Sequence, residues 1–268
     1  MIHRIDTLAD PRIADYAHVA DSAWLLEHGL FVAEGRLVVR RLLEIGRFPV
    51  ESVLVTPPAV AALGALLSSD RHRALPVYVC EQTALDSLAG FNFHRGCLAL
   101  AKRPPDAMPL DRFAGAHRLL ALEAVGNPDN VGGLFRVAAA FGAGGVLLDR
   151  RPADPLYRKA IRTSMGAALL VPFAKSESWL DDLRWLQRSG TMLVALTPDP
   201  AATALHAFAE TMTPGQPLAL MLGAEEPGLS AAARDAADAR VRIPISADVD
   251  SLNVVVAAGI ALATLQRP

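Results

Sequence analysis

Two cysteines in 268 residues, Cys80 and Cys97, are too few and too far apart for a structural zinc site or a disulfide framework. Neither sits in a C-x-x-C spacing, so both are expected as buried, reduced thiols, with no metal and no disulfide. Lysine is almost as scarce, since only Lys102, Lys159 and Lys175 interrupt an otherwise all-arginine set of 26 basic residues. Acids number 28, the net charge is -2, and a uniformly basic nucleic-acid binder is excluded. Positive charge is local: Arg36, Arg40, Arg41 and Arg47 form one group, Arg71 to Arg73 a second, and Arg150, Arg151, Arg158, Lys159 and Arg162 a third. The longest apolar run, Val254 to Leu265, falls short of the ~20 residues that cross a bilayer. The start, MIHRIDTLADPRI, has no apolar stretch behind a basic one, so no secretory leader is expected. No membrane association and a cytoplasmic location follow as expectations. A G-x-G-x-x-G loop is also missing, which argues against a dinucleotide oxidoreductase.

What is present is core-forming material, 52% hydrophobic against 20% charged, in a length that suits two domains. The segment RPPDAMPLDRF carries three prolines and no helical or strand period, and reads as a stiff linker. The division expected is residues 1–103, a linker at 104–116, and residues 117–268. Before the linker, apolar spacing predicts helices at Ser22 to Glu27, Gly35 to Leu43, Pro58 to Leu67 and Thr83 to Leu88. Strands are predicted at Val53 to Val55, Val77 to Cys80 and Cys97 to Ala101, giving a small α/β domain.

After the linker the alternation is regular. Strands are predicted at Arg118 to Ala124, Gly145 to Leu148, Leu169 to Phe173, Met192 to Leu196, Leu218 to Leu222 and Val241 to Pro244. Helices are predicted at Gly133 to Phe141, Leu156 to Ser164, Trp179 to Arg188, Leu229 to Ala236 and Leu252 to Gln266. The fold class is therefore α/β, with a mainly parallel C-terminal sheet covered by helices on both faces.

Three strand-to-helix junctions concentrate Gly, Asn, Ser and Glu. They are NPDNVGGLFR at Asn127 to Arg136, LMLGAEEPGLS at Leu220 to Ser230, and IPISADVDSLNVVVAA at Ile243 to Ala258. Strand carboxyl ends and helix N-termini meet at such junctions, and ligands bind there. In the first, Asn130 stands where an N-cap is wanted, and Arg136 follows six residues later. In the second, Gly223 permits close approach and Glu225 is a carboxylate at a strand end. In the third, Ser251 is cheapest as an N-cap, whereas Asn253 opens an apolar helix and offers an amide to a site.

Together these segments resemble motifs 1, 2 and 3 of the SpoU/TrmH family of RNA ribose 2'-O-methyltransferases, within the SPOUT superfamily. The match runs from about residue 117 to 267. In front of the linker, FVAEGRLVVRRLL at Phe31 to Leu43 and HRGCLALA at His94 to Ala101 resemble that family's L30e-like RNA substrate-binding domain.

The resemblance implies a C-terminal trefoil knot, a homodimer, and S-adenosyl-L-methionine as cofactor. It implies that Thr197, Gly223, Ile243 and Leu252 hold the cofactor, and that Asn130, Arg136, Glu225, Ser251 and Asn253 form the catalytic group. The substrate implied is a structured rRNA or tRNA, and either subunit could supply Arg136 to a given site. Two positions depart from the family pattern: Ala247 where Gly is usual, and Val255 where a second small polar residue is usual. Two other functions fit the same fold, a non-catalytic RNA-binding member and a base-methylating SPOUT enzyme. The set of Asn130, Arg136, Glu225 and Asn253 argues against the first, and Arg136 in its motif 1 setting against the second. The arginine groups at Arg36 to Arg47 and Arg150 to Arg162 are expected to contact phosphates.

Overall fold

A computed structural model of the chain describes residues 2–89, 96–104 and 110–265. It divides into two compact units, Met1–Pro104 with Leu156–Leu169, and Pro105–Pro155 with Leu170–Pro268. Residues 105–109 of the linker, His94 and Arg95 of the second quoted segment, and Gln266 at the end of the last predicted helix lie outside the described residues.

The first unit carries strands β1 (Ile2–Arg4), β2 (Leu30–Glu34), β3 (Val50–Val55), β4 (Val77–Val79) and β5 (Cys97–Lys102). Its helices are α1 (Ser22–Glu27), α2 (Arg36–Ile45), α3 (Pro57–Leu67) and α4 (Gln82–Ala89). The sheet order is β1-β4-β3-β5-β2; β4 runs parallel to both its neighbours, and β5 antiparallel to both of its own. Sequence periodicity misses β1, β2 and a 3-10 segment at Pro11–His18. Strand β2 is wholly buried and lacks the alternation that marks a half-buried strand, and β1 is too short to show a period.

The second unit opens with β6 (Arg118–Glu123), α5 (Pro128–Ala140) and β7 (Gly145–Leu148). The next helix, α6 (Arg158–Thr163), falls within the stretch that belongs to the first unit, where it packs against β2. Arg158 Nη1 lies 3.1 Å from the buried Glu34 carboxylate, and Arg162 Nη1 3.9 Å from its other oxygen. Arg41 Nη1 donates to Met165 O at 2.6 Å, and Arg40 Nη2 to Ala62 O at 2.9 Å. These four arginines thus answer buried or backbone groups of their own unit. Arg36 and Arg150 are exposed and make no hydrogen bond or ion pair among the described residues.

Helix α7 (Ala167–Leu170) stands where a strand was predicted at Leu169 to Phe173. Its turn is started by Ser164 Oγ, which accepts from Ala168 N at 3.2 Å. Pro172 cannot donate to a ladder, so β8 (Phe173–Lys175) begins after it. There follow α8 (Trp179–Arg188), β9 (Met192–Leu196), β10 (Thr203–Ala204), α9 (Leu205–Thr211), β11 (Leu218–Gly223), α10 (Ala231–Ala236), β12 (Ala239–Arg242) and α11 (Val254–Leu265). Only β10 and α9 escape the sequence pattern here, both short.

All seven strands are parallel, in the order β10-β12-β9-β11-β6-β7-β8. The apolar strands alternate between two covered faces. Leu119, Ala121, Leu193, Ala195, Ala219 and Met221 join Leu183 and Leu186 of α8 and Ala233 of α10 in one core cluster. Leu120, Leu122, Leu220 and Leu222 alternate to the opposite face, where α11 packs on β11 and on α5. Strand β11, late in sequence, lies between β6 and β9, so the carboxyl ends of these three and of β12 share one edge.

Cys80 and Cys97 are both free and buried. Burial pushes the Cys80 thiol up to about 11 and the Cys97 thiol up to about 12, so neither offers a thiolate near neutral pH. The native protein should leave a thiol-specific disulfide reagent unreacted at mildly alkaline pH, and both thiols should react after unfolding in guanidinium. A thiol that reacts at the free-cysteine rate in the native state contradicts this packing.

Candidate active site

Helix α5 starts at Pro128, five residues before the Gly133 that the sequence pattern predicts. Asn127 is the N-cap, its side chain accepting from Asp129 N at 2.9 Å, and Pro128 takes the first helical position. Asn130 is therefore not the cap. It lies inside the first turn, 7% exposed, with its amide free to bond elsewhere.

That amide joins the three junctions. Asn130 Nδ2 donates to Glu225 Oε1 at 2.7 Å, and Asn130 Oδ1 accepts from Asn253 Nδ2 at 3.1 Å. Asn253 also caps α11, because its Oδ1 accepts from Val255 N at 2.9 Å and its carbonyl takes the first helical bond from Ala257 N. The cap was expected at Ser251, which is exposed and makes no hydrogen bond among the described residues. Asn253 performs both tasks because the cap uses its oxygen and the site uses its NH2 group.

Arg136 is exposed on α5 and forms no hydrogen bond or ion pair among the described residues; Asn130 is bonded to Glu225 and Asn253 instead. Of the residues expected to hold a cofactor, Thr197 directly follows β9, its N donating to Val241 O at 3.0 Å and its Oγ1 accepting from Asp199 N at 3.2 Å. Gly223 ends β11 and Ile243 follows β12, while Leu252 lies two residues before α11. Among the described residues no hydrogen bond ties Thr197, Ile243 or Leu252 to the amide chain.

The stretch after Gly223 folds back onto it. A Cβ at Gly223 would collide with the backbone of Gly228 and Leu229, so only glycine fits there. The backbone of residues 224–228 and 243–245 makes no hydrogen bond among the described residues, which leaves those groups for a polar ligand. Both departures from the family pattern are accommodated. Ala247 is not among the non-glycine residues with positive φ, which are Ala124 and Met165. The Val255 methyls occupy the space beside Gly133, packing α11 onto α5.

A second polar set at the same edge was missed by sequence reading. Glu123, 3% exposed, accepts from Ser230 N at 2.7 Å and faces Arg151 Nη2 at 3.6 Å. Asp149, 5% exposed, accepts from Ala124 N at 3.1 Å and from Arg151 N at 2.9 Å, with Arg151 Nε on its other oxygen at 3.1 Å. It thereby holds Ala124, at φ 58°, in the left-handed turn that leads to Asn127. The available signal was an acid closing the apolar run LLALE.

Comparison with known proteins gives a consistent result. The family described as SpoU rRNA Methylase family matches residues 117–263. The chain is 40% identical over 256 residues to an uncharacterised tRNA/rRNA methyltransferase of Mycobacterium bovis, covering 94% of this chain and 87% of that one. It is 37% identical over 186 residues to a 23S rRNA (guanosine-2'-O-)-methyltransferase of a Burkholderia species, covering 68% and 73%. Its fold matches the AdoMet-bound rRNA methyltransferase of Sinorhizobium meliloti with a TM-score of 0.81 at 24% identity, over 99% and 97% of the two chains.

Gly223→Ala should lower stability by about 1–3 kcal/mol, the usual cost of forcing a methyl into a packed backbone contact. A urea unfolding midpoint equal to wild type would show that the loop does not lie on Gly223.

Proposed function

The chain belongs to the SpoU rRNA methylase family, and on that premise we propose that it transfers a methyl group from S-adenosylmethionine to a ribose 2'-OH of rRNA or tRNA. The observation that carries this reading is the Asn253–Asn130–Glu225 chain, which draws three strand-end segments together within the family-matched region. Thr197, Gly223, Ile243 and Leu252 would hold the cofactor, largely through backbone groups; the unpartnered backbone at 224–228 and 243–245 supports this. Bound there, S-adenosylmethionine supplies a methyl on a sulfonium, already a good leaving group. The protein's share is to align the hydroxyl and ease the loss of its proton.

Arginine keeps its proton at physiological pH and is a poor base. Arg136 acts as a fixed positive charge for the developing alkoxide, and an RNA phosphate or water accepts the proton. Asn130, Glu225 and Asn253 hold the loop ends in register for that step, and Ser251 stands exposed at the entrance to α11. Because Arg136 is exposed and has no partner among the described residues, it fits a homodimer in which motif 1 of one subunit completes its neighbour's site. The exposed Val256 and Ile260, one turn apart on α11, supply an apolar stripe for such an interface.

Residues 1–103 act as an L30e-like domain that selects the RNA; Arg36 within it and Arg150 in the second unit, both without an ion pair among the described residues, supply phosphate contacts. Shape and loop recognition suit a protein of net charge -2. The trefoil knot belongs to the same reading: β11 enters between β6 and β9, and the segment after it doubles back. Among the described residues no helix is long and apolar enough to cross a membrane. A cytoplasmic site of action belongs to the same proposal, through its RNA substrate.

Arg136→Lys keeps a charge but loses the planar fork. Turnover should fall about 100-fold, as on removal of an oxyanion donor, while S-adenosylmethionine binding stays at the wild-type level. Near wild-type turnover would remove the guanidinium from the mechanism.

A further inference from the structure

Glu123 is the only acid in β6, and it lies at the strand's carboxyl end beside the loop assigned to the cofactor. In the parallel ladder its register partner is Gly223, where that loop begins. Its carboxylate then takes the N–H of Ser230, where the loop ends. One residue therefore touches both ends of the loop, through its backbone at one and its side chain at the other.

A buried carboxylate is costly unless it is hydrogen-bonded or paired. Arg151 is 65% exposed on its side chain and also serves Asp149, so its contact at 3.6 Å is a weak partner. The short bond from Ser230 N is the stronger one. Around it the loop's exit is held twice more, by Leu229 packed in the core and by Arg234 Nη1 donating to Leu229 O. The Ser230 side chain caps α10 by accepting from Ala233 N at 3.2 Å, so its own N–H is left for Glu123. Between the two ends, Gly228 and Leu229 press on Gly223, and Glu225 reaches Asn130.

We propose that Glu123 is a positioning residue for S-adenosylmethionine binding: by clasping Ser230 it closes the loop from Gly223 to Ser230 into the shape that presents its free backbone groups. The inference rests on that loop being the cofactor site. It gives Glu123 no contact with the cofactor or the RNA.

The test is calorimetric titration of S-adenosylmethionine into wild-type, Glu123→Gln and Glu123→Ala proteins, with far-UV circular dichroism of each. Glutamine keeps an oxygen for Ser230 N and should bind within about threefold of wild type, whereas alanine should bind about tenfold more weakly or worse. A structural salt bridge with Arg151 would be lost equally in both variants, so rescue by glutamine separates the two roles. Wild-type affinity in a folded Glu123→Ala protein, or equal weakening in both, overturns the proposal. If Glu123→Ala does not fold, Ser230→Pro removes the same N–H at a φ of -60° that suits proline, with Ser230→Ala as the baseline for the lost cap. Binding by Ser230→Pro equal to that of Ser230→Ala then overturns it. Wild-type protein that does not bind S-adenosylmethionine removes the cofactor reading itself; wild-type binding with an indifferent Glu123→Ala removes only this inference.

Discussion

The side-chain amide of Asn130 offers one oxygen and one NH2 group, and it commits both to residues 123 and 95 positions away in sequence. The site depends on this arrangement. A buried amide with either half unmatched would cost about 1–3 kcal/mol, so the three junctions hold one another in place. Motif 3 provides an NH2 group, motif 1 passes the chain on, and motif 2 ends it on a carboxylate. Because Asn253 also caps α11, the same link fixes where the last helix begins.

Around this chain the sheet supplies rigidity and the loops supply the chemistry. The parallel strands are buried on both faces, so their carboxyl ends are fixed in register. The loops that leave them keep backbone groups unspent at 224–228 and 243–245. Glu123, Asp149 and Arg151 form a second polar layer beneath them, anchoring the turns before α5 and α10. Arg136 stands apart from both layers, exposed and without a hydrogen bond or ion pair among the described residues.

Much of the fold was legible in the sequence, since long apolar periods leave little choice. Ser22–Glu27, Gly145–Leu148, Trp179–Arg188 and Met192–Leu196 fall where the pattern puts them. Failures came where two local solutions compete. Asn127 and Asn130 are both good caps, and Pro128 decides between them; Ser251 and Asn253 compete likewise, and the long-range bond to Asn130 favours the latter. Leu169 to Phe173 is apolar enough for a strand, yet Ser164 starts a helical turn there instead. At the site, the segments were visible as Gly, Asn and Glu at strand ends, while the roles of their residues came from the family resemblance. That Glu123, Asp149 and Arg151 form one set was not visible, because the groups that complete it, Ala124 N and Ser230 N, lie on other segments than Asp149 and Glu123 respectively. The intrachain partners of the arginine groups were hidden for the same reason: sequence proximity of Arg158 and Arg162 says nothing of Glu34, which faces them both.

The central claim is that the methyl group goes to a ribose oxygen, and the chemistry of RNA reads this out directly. A 2'-O-methyl group removes the hydroxyl that attacks the neighbouring phosphodiester in alkali. The purified protein would be incubated with tritiated S-adenosylmethionine and with rRNA and tRNA from a strain lacking the gene, and the labelled RNA hydrolysed in alkali. Label recovered in alkali-stable dinucleotides is the predicted result; label in mononucleotides bearing a methylated base, or no incorporation into either RNA, would contradict the account.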